Sequence, residues 1–237
     1  MEIRGERECQ DCGSRWSYYE TGTVSCPECG SMHSVGVDGE RKLHTTSPVD
    51  FDLTDVRERV DTDPLHRVAE AAKKACREYV RKRGFVRGGE LTDLDDTYLA
   101  ASELQHAADV FGRSFQPTER EELYFLELLR GADAGERPDA STVPESLSEA
   151  RGLAAANAVR EYRRDLRQWH DGDDPAVENT LEMVGEHEKR VRALSGSVDP
   201  GTADMLVEAM RGIAAYVRDG DELALANAQD RVDRLAD

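Results

Sequence analysis

Four cysteines near the N-terminus constrain the fold of this chain more than any other feature of its sequence. Cys9 and Cys12 form one C-x-x-C pair, and Cys26 and Cys29 form a second pair after a gap of 13 residues. Two thiolates three residues apart can bind one side of a tetrahedral metal ion, and a second such pair completes the tetrahedron. The spacing therefore predicts one zinc ion, and the closed ligand set predicts a structural rather than a catalytic role.

The residues around the cysteines agree with a metal site and leave three alternatives open. Gly13 and Gly30 follow the two pairs, where the chain turns and glycine adopts positive φ at little cost. Two disulfides fit less well, because the cysteine count is odd and we expect no secretory signal. A rubredoxin-like iron site is the second alternative, and the short gap between the pairs favours zinc over it. His33 as a fifth or alternative ligand is the third, whereas an exposed histidine is the expected state.

Short segments around the cysteine pairs alternate with turn residues, which predicts a small β zinc ribbon over residues 1–45. A unit of this size cannot bury enough apolar surface to fold alone, so the metal must supply much of its stability. The predicted strands are residues 15–19, 23–25, 34–37 and 40–44, and a hairpin turn at Asp38-Gly39 joins the last two.

The two cysteine motifs resemble those of a known family. Cys9-Gln-Asp-Cys12-Gly13 and Cys26-Pro-Glu-Cys29-Gly30 are similar to the zinc ribbon of transcription factor IIB and related archaeal proteins. The resemblance covers about the first 45 residues and implies a zinc-binding module that docks on protein or nucleic acid. It does not extend to the paired cyclin-like repeats of that family. The whole chain resembles an uncharacterised haloarchaeal protein that joins such a ribbon to a helical domain.

Acidic side chains outnumber basic ones by 49 to 31, which gives a net charge of −18 at pH 7. Together with scarce lysine, this composition resembles that of salt-accumulating halophiles. Molar salt there shortens the range of charge repulsion to about 3 Å. Binding to a basic partner is the alternative explanation of the negative charge. No run of eighteen apolar residues occurs, so we expect no membrane span and a cytoplasmic protein.

Beyond residue 45 the apolar period changes from two to about 3.6, which predicts helices. The expected fold is mainly α: the ribbon, a linker over 46–53, and an antiparallel helical bundle over 54–237. A loop rich in glycine, proline and acids suggests a division into two subdomains near residues 131–146. Helix starts are predicted after the caps Asp63, Thr118, Ser146, Asp174, Asp199 and Asp221, with another helix over 92–111 and a break at Gln116-Pro117.

Catalytic motifs are scarce in the helical part. Glu103 and His106 form one E-x-x-H motif, but di-iron bundles need two such motifs and two further glutamates. Cys76 lies beside an apolar stripe and is expected to be a buried small residue rather than a nucleophile. The chain has no phosphate-binding glycine loop and no G-x-S-x-G motif. We therefore predict no enzymatic activity and no small-molecule substrate; an enzyme with an unrecognised site in the bundle remains the alternative.

Two helix faces carry clusters of basic residues, which predict contact with phosphate or with an acidic partner. The alternative is a solvated face whose charges pair with neighbouring acids. The candidate binding residues are Arg67, Lys74, Arg77 and Arg81 on the first face, and Arg160, Arg163, Arg164 and Arg167 on the second.

The leading interpretation is a zinc-binding, non-enzymatic interaction protein, regulatory or transcription-related, whose ribbon docks on a protein. Nucleic-acid binding through the ribbon and the basic faces is the alternative, with Trp16, Tyr18 and Tyr19 as candidate stacking residues. These aromatics could instead form the hydrophobic face of the ribbon itself. Residues 1–45 hold five basic and eight acidic side chains, which favours the protein partner.

Overall fold

The computed structural model describes residues 1–113 and 117–236. It is mainly α-helical with small β elements at the N-terminal end, which confirms the predicted fold class. The N-terminal elements are β1 (Glu2–Ile3), β2 (Glu6–Cys9), β3 (Arg15–Ser17), the short helix α1 (Tyr18–Thr21), β4 (Ser34–Gly36) and β5 (Lys42–Leu43).

The strand pairing differs from the predicted hairpins. β2 is central and pairs antiparallel with β3 on one side and β4 on the other, whereas β5 pairs with β1. The hairpin predicted at Asp38-Gly39 is therefore wrong, because the Asp38 carboxylate accepts a hydrogen bond from the backbone N–H of Gly5 at 2.8 Å. Residues 23–25, which lie within the described part of the chain, form no strand. The predicted strand over 15–19 ends early because Tyr18 begins α1, which Gly22 ends in the left-handed conformation.

The remaining elements form a helical bundle with one small hairpin. They are α2 (Thr54–Arg57), α3 (Leu65–Lys82), β6 (Val86–Arg87), β7 (Glu90–Leu91), α4 (Asp96–Arg113), α5 (Glu119–Gly131), α6 (Ser148–Trp169), α7 (Pro175–Ala193), α8 (Pro200–Asp219) and α9 (Glu222–Ala236). Within residues 1–113 and 117–236, none of these helices is both long and apolar enough to cross a membrane.

Four of the predicted helix caps are confirmed. The Thr118 side chain accepts from the backbone of Glu121 in a complete capping box. The carboxylates of Asp174, Asp199 and Asp221 accept from backbone amides in the first turns of α7, α8 and α9. Local hydrogen bonding of polar side chains therefore sets these helix starts, as the sequence predicts.

Two predicted caps are wrong, because the side chains bind elsewhere. Asp63 forms a salt bridge with Arg59 at 2.7 Å, and α3 begins after Pro64 without a side-chain cap. The Ser146 hydroxyl donates to Glu121, and α6 begins two residues later, after a short 3₁₀ turn.

One predicted helix starts late, and one predicted break lies outside the described structure. The helix expected from residue 92 starts at Asp96, because residues 90–91 form β7. The predicted break at Gln116 lies outside the described residues.

The buried apolar side chains of the helical part form two clusters, and each of them includes residues of α4 and α6. One is centred on Phe85, which packs edge-on against Tyr98 and Tyr162, each at 4.8 Å between ring centroids. The other includes Ala132 and Val143 from residues 131–146, so that segment contributes to the core. The predicted domain and subdomain boundaries stay predictions.

The segment after β5 connects the N-terminal β part with the helices. The Nδ1 atom of buried His44 accepts a hydrogen bond from the backbone N–H of Gly88, at 3.1 Å. The Thr45 hydroxyl donates to the buried carboxylate of Asp165 at 2.6 Å and accepts from the backbone N–H of Val86 at 3.0 Å. These bonds hold the segment after β5 against the β6–β7 hairpin and α6.

Acid is expected to loosen this contact through His44. Burial, followed by the positive charges of Arg87 and the N-terminal amine, lowers the pKa of His44 below its usual value of 6.5. The folded state therefore favours the neutral imidazole. The stabilisation of the fold by neutral His44 is fully present above the pKa of the unfolded state. It is lost as the pH falls through the lower pKa of the folded state. Protonation at Nδ1 also removes the acceptor for the Gly88 N–H.

Amide exchange at Gly88, measured between about pH 8 and pH 5, tests this expectation. Protection of this amide, corrected for the intrinsic exchange rate, should fall at the acidic end in the zinc-loaded protein. His44→Gln should remove the pH dependence, whereas His187→Gln in α7 should preserve it. An unchanged pH profile in His44→Gln would show that His44 is not the titrating group.

Candidate metal centre

The four predicted cysteine ligands come together in the folded chain. Their Sγ atoms all lie within 4.8 Å of one another. The Sγ atoms of Cys9 and Cys29 are 3.6 Å apart, as are those of Cys12 and Cys26. A tetrahedral ion with Zn–S bonds near 2.3 Å requires sulfur atoms about 3.8 Å apart. The arrangement could hold one metal ion, and its size is compatible with zinc.

The two cysteine pairs have the same backbone geometry. The N–H of Gly13 donates to the Cys9 carbonyl at 3.0 Å, and the N–H of Gly30 donates to the Cys26 carbonyl at 2.9 Å. Both glycines have φ of +73°, as the sequence predicts. Each pair is therefore a tight turn that directs two sulfur atoms to one side, and the two turns face each other across the site.

Gly13→Ala is expected to weaken metal retention, because an L-residue at this φ costs about 1–2 kcal/mol. A Cβ added at Gly13 would meet no described atom within 4 Å, so backbone strain alone accounts for the effect. Gly39→Ala is the matched control, because its added Cβ also meets no described atom and its φ is not positive. Competition with a zinc chelator measures the difference. Equal retention in the two variants would contradict the account of the turns.

Backbone groups favour a thiolate at one of the four positions. The N–H of Cys29, and less strongly that of Glu28, lower the pKa of Cys26 to about 7. The N–H of Ser14 acts in the same direction on Cys12, but the neighbouring sulfur atoms outweigh it and raise the pKa of Cys12 to about 12. Four thiolates at this separation therefore require a bound cation, which neutralises their mutual repulsion.

Trp16 belongs to the interior of the metal centre. Its side chain is buried in one cluster with Cys9 and Cys26, and its Nε1–H donates to the Thr23 carbonyl at 3.1 Å. The expectation of an exposed stacking residue is wrong at this position, because the ribbon needs its largest aromatic side chain to cover two of the ligands. The alternative, in which Trp16 forms the hydrophobic face of the ribbon, is confirmed.

The other residues proposed for the ribbon have different positions. Tyr19 is half-buried, donates its hydroxyl to the Ile3 carbonyl at 2.9 Å and packs against His44. Tyr18 is also half-buried and lies edge-on to His44. His33 is outside the sulfur cluster; its Nδ1 lies 3.5 Å from the Asp11 carboxylate.

The α6 arginines all lie within 4.0 Å of carboxylates. Arg163 is half-buried and reaches the buried Glu188 of α7 at 3.4 Å. Such pairing is typical of a salt-bridged face. The other contacts are Arg160 with Glu161, Arg164 with Glu161 and Asp165, and Arg167 with Glu178.

The α3 residues differ from those of α6. The four candidate cations on α3 are exposed and form no salt bridge with any residue that the structure describes; they are Arg67, Lys74, Arg77 and Arg81. Lys73 and Lys82, on the same helix, are paired with Asp109 and Glu78. The two basic faces look the same in the sequence, but in the described structure only the α6 face is paired with carboxylates.

A buried charged cluster joins α4, α5, α6 and α8, and the sequence analysis missed it. Glu103 is fully buried, accepts from the Tyr124 hydroxyl, and lies 3.3 Å from Arg151 and 3.2 Å from Arg137. Arg151 also pairs with Asp204 at 2.6 Å. The only available signal was a glutamate and an arginine on helix faces that are otherwise apolar.

The E-x-x-H motif does not form one site. His106 lies 3.2 Å from the side chain of Asn157, whereas Glu103 belongs to the buried charged cluster. Cys76 is fully buried, as predicted, and burial raises the pKa of its thiol. Glu103, His106 and Cys76 therefore add no ligand to the metal centre.

The fold and the cysteine cluster define a mainly helical protein with a candidate metal site in a small N-terminal β unit. The chain belongs to a family of unknown function (DUF7117), whose model matches residues 1–232. No curated protein and no solved structure matches the chain. The comparisons show this family and not the ribbon family of transcription factor IIB, so the resemblance over residues 1–45 stays a prediction.

Proposed function

We propose that this chain is a zinc-stabilised, non-enzymatic interaction protein whose ribbon docks on a partner protein. The observation that carries the proposal is the four-sulfur site, in which every tetrahedral position is filled by the chain itself. Soft thiolate ligands in this geometry favour zinc. A closed site leaves no position for water or substrate, so the metal supplies folding energy to the ribbon and thereby shapes its surface.

The ribbon surface beside the metal site carries exposed apolar side chains. Val35 in β4 is 45% exposed and Val37 just after it is 44% exposed. Side chains two residues apart in an extended chain point to the same side, so the two valines form one apolar surface. In a ribbon with five basic and eight acidic side chains, this apolar surface supports docking on protein rather than on nucleic acid.

The backbone edge of β4 does not favour strand addition. β4 is an edge strand, but the Arg4 side chain donates to the Gly36 carbonyl at 3.3 Å, and Arg7 donates to the Ser34 carbonyl at 3.1 Å. These arginines occupy the acceptors that an added strand would use. The partner therefore contacts the valine side chains rather than extending the sheet.

A regulatory or transcription-related role rests on the resemblance of the two cysteine motifs to the ribbon of transcription factor IIB. The net charge of −18 supports a protein of a salt-rich cytoplasm, because high salt screens the repulsion among surface carboxylates. The buried charged cluster supports a non-enzymatic role, since its charged groups are engaged with one another rather than directed at a substrate.

Affinity capture with the zinc-loaded full chain, at the salt concentration of the source cells and after nuclease treatment, tests the proposal. A captured protein should be lost with Val35→Thr/Val37→Thr, which keeps strand propensity, and with Cys29→Ser. It should be retained with Leu194→Thr/Leu223→Thr, a control pair of exposed apolar residues on other elements. Equal capture by all variants would contradict ribbon docking, and capture that nuclease abolishes would favour the nucleic-acid alternative.

A further inference from the structure

The exposed cations of α3 stand apart from the other basic residues described above. They are Arg67, Lys74, Arg77 and Arg81, and they form no salt bridge within the described ranges 1–113 and 117–236. The chain has 49 acidic side chains and a net charge of −18. Glu78, which is paired with Lys82, is also near enough to Lys74 and Arg81 for their charges to lower its pKa. Four cations on one helix face, none of them in a salt bridge with a described carboxylate, indicate a surface that can meet negative charge from another molecule.

The spacing of these cations matches a helix lying alongside α3. Arg67, Lys74 and Arg81 recur every seven residues, so they lie on one face with a step of about 10 Å along the axis. Arg77 lies on the same face, one turn after Lys74. A second helix with carboxylates at the same interval would meet each of these cations in turn.

Two surface grooves lie on or beside this face of α3. The first, of about 430 Å³, lies between side chains of α3 itself and is lined by Glu70, Lys73, Lys74, Arg77, Glu78 and Arg81. The second groove, of about 410 Å³, is lined by residues 48–52 with Ala75, Glu78 and Lys82. Its half-buried Phe51 stacks on Tyr79 at 4.5 Å between centroids and provides a fixed apolar contact. The face therefore offers both cations and apolar surface.

Carboxylates in the two grooves favour a protein helix over a nucleic-acid strand as the negatively charged partner. Glu70 and Glu78 line the first groove, and Asp50 and Asp52 line the second. A nucleic-acid strand carries a negative charge at every step, so some of its phosphates would meet these carboxylates. An amphipathic helix can place carboxylates only opposite cations and apolar side chains beside Phe51. The mixed charge of the surface therefore favours a protein helix.

We propose that the exposed face of α3, together with the groove between it and residues 48–52, forms a docking surface for an acidic amphipathic helix of a partner protein. Carboxylates of that helix pair with Lys74, Arg77 and Arg81, and its apolar side chains pack against Phe51 and Ala75. This surface shares no residue with the valine surface of the ribbon, so either interaction can fail without the other.

Binding of synthetic probes to the zinc-loaded full chain tests this proposal at about 0.1 M salt. The first probe is an amphipathic peptide of about 20 residues, with a leucine stripe and glutamates every seventh residue. The second has the same composition in scrambled order, and the third is a single-stranded DNA of about 20 nucleotides. Arg77→Glu/Arg81→Glu removes the proposed contacts. Lys189→Glu/Arg190→Glu, on exposed positions of α7, makes the same change in net charge elsewhere.

The patterned peptide should bind more tightly than the scrambled peptide. It should lose about tenfold in affinity with Arg77→Glu/Arg81→Glu, because two exposed ion pairs are lost and the reversed charges repel the glutamates of the peptide. Lys189→Glu/Arg190→Glu and Val35→Thr/Val37→Thr should bind as the wild type does. DNA that binds more tightly than the peptide and depends on Arg77 and Arg81 would overturn the proposal in favour of nucleic acid. Equal losses of affinity in both charge-reversal variants, or no binding of any probe, would overturn the proposal and show that the α3 face is only a solvated surface.

Discussion

Replacing Cys29 by serine is expected to abolish zinc binding and to unfold the ribbon while the helical part stays folded. The three remaining thiolates cannot close the tetrahedral site, and the ribbon has almost no core besides Cys9, Trp16 and Cys26. The helical part has its own buried clusters, with Phe85 among the residues at their centre. Its far-ultraviolet circular dichroism should therefore change little.

Metal analysis and amide exchange measure the two halves of this expectation. Protection should disappear from residues 1–43 and persist from Thr45 onward, because the Thr45 N–H is bonded to the Val86 carbonyl of the β6–β7 hairpin. Cys76→Ala is the matched control, since this fifth cysteine lies in the helical core and outside the sulfur cluster. Its zinc content should equal that of the wild type. Loss of helical signal with Cys29→Ser would contradict the independence of the two parts.

Replacing Arg151 by methionine is expected to lower the free energy of unfolding by about 3–5 kcal/mol, because it leaves Arg137 as the only remaining cation for both Glu103 and Asp204 in this cluster. Arg151 is 3% exposed and joins Glu103 in α4 to Asp204 in α8. It also donates to the Pro138 carbonyl at 2.9 Å, so its loss leaves a buried acceptor unsatisfied. The cluster is thus expected to fix the relative positions of α4, α6 and α8.

Urea unfolding of three variants tests this prediction. Arg160→Met removes an arginine of the same helix that is 49% exposed and 3.8 Å from its partner, so its effect should stay below about 1 kcal/mol. The double variant Glu103→Gln/Arg151→Met should be more stable than Arg151→Met alone, because it also removes the buried negative charge that has lost Arg151. Similar midpoints for Arg151→Met and Arg160→Met would show that the buried cluster does not brace the helices.

Features controlled by neighbours in the chain could be predicted from the sequence. The turns at Gly13 and Gly30, the capping box at Thr118 and the cap-then-proline starts at Asp174 and Asp199 all depend on contacts within a few residues. The same holds for the grouping of the cysteines, since two short pairs have few ways to close one tetrahedron.

Features that depend on distant residues could not be predicted. Asp38-Gly39 predicted a hairpin between residues 34–37 and 40–44. In the structure the Asp38 carboxylate binds the N–H of Gly5, and β4 pairs with β2. The partners of Glu103 come from three distant parts of the chain, and no local pattern indicates them. The two basic faces look alike in sequence because the acids that pair with Arg163 and Arg167 lie on α7.

The metal content of the wild-type chain, purified without chelator, tests the central claim most directly. Four cysteine sulfur atoms within 4.8 Å of one another form a single closed site, so the expected result is one zinc ion per chain. Titration with a thiol reagent should then find Cys9, Cys12, Cys26 and Cys29 protected until the zinc is chelated. A chain that contains no metal, or that contains iron with the colour of a rubredoxin, would contradict a structural zinc ribbon.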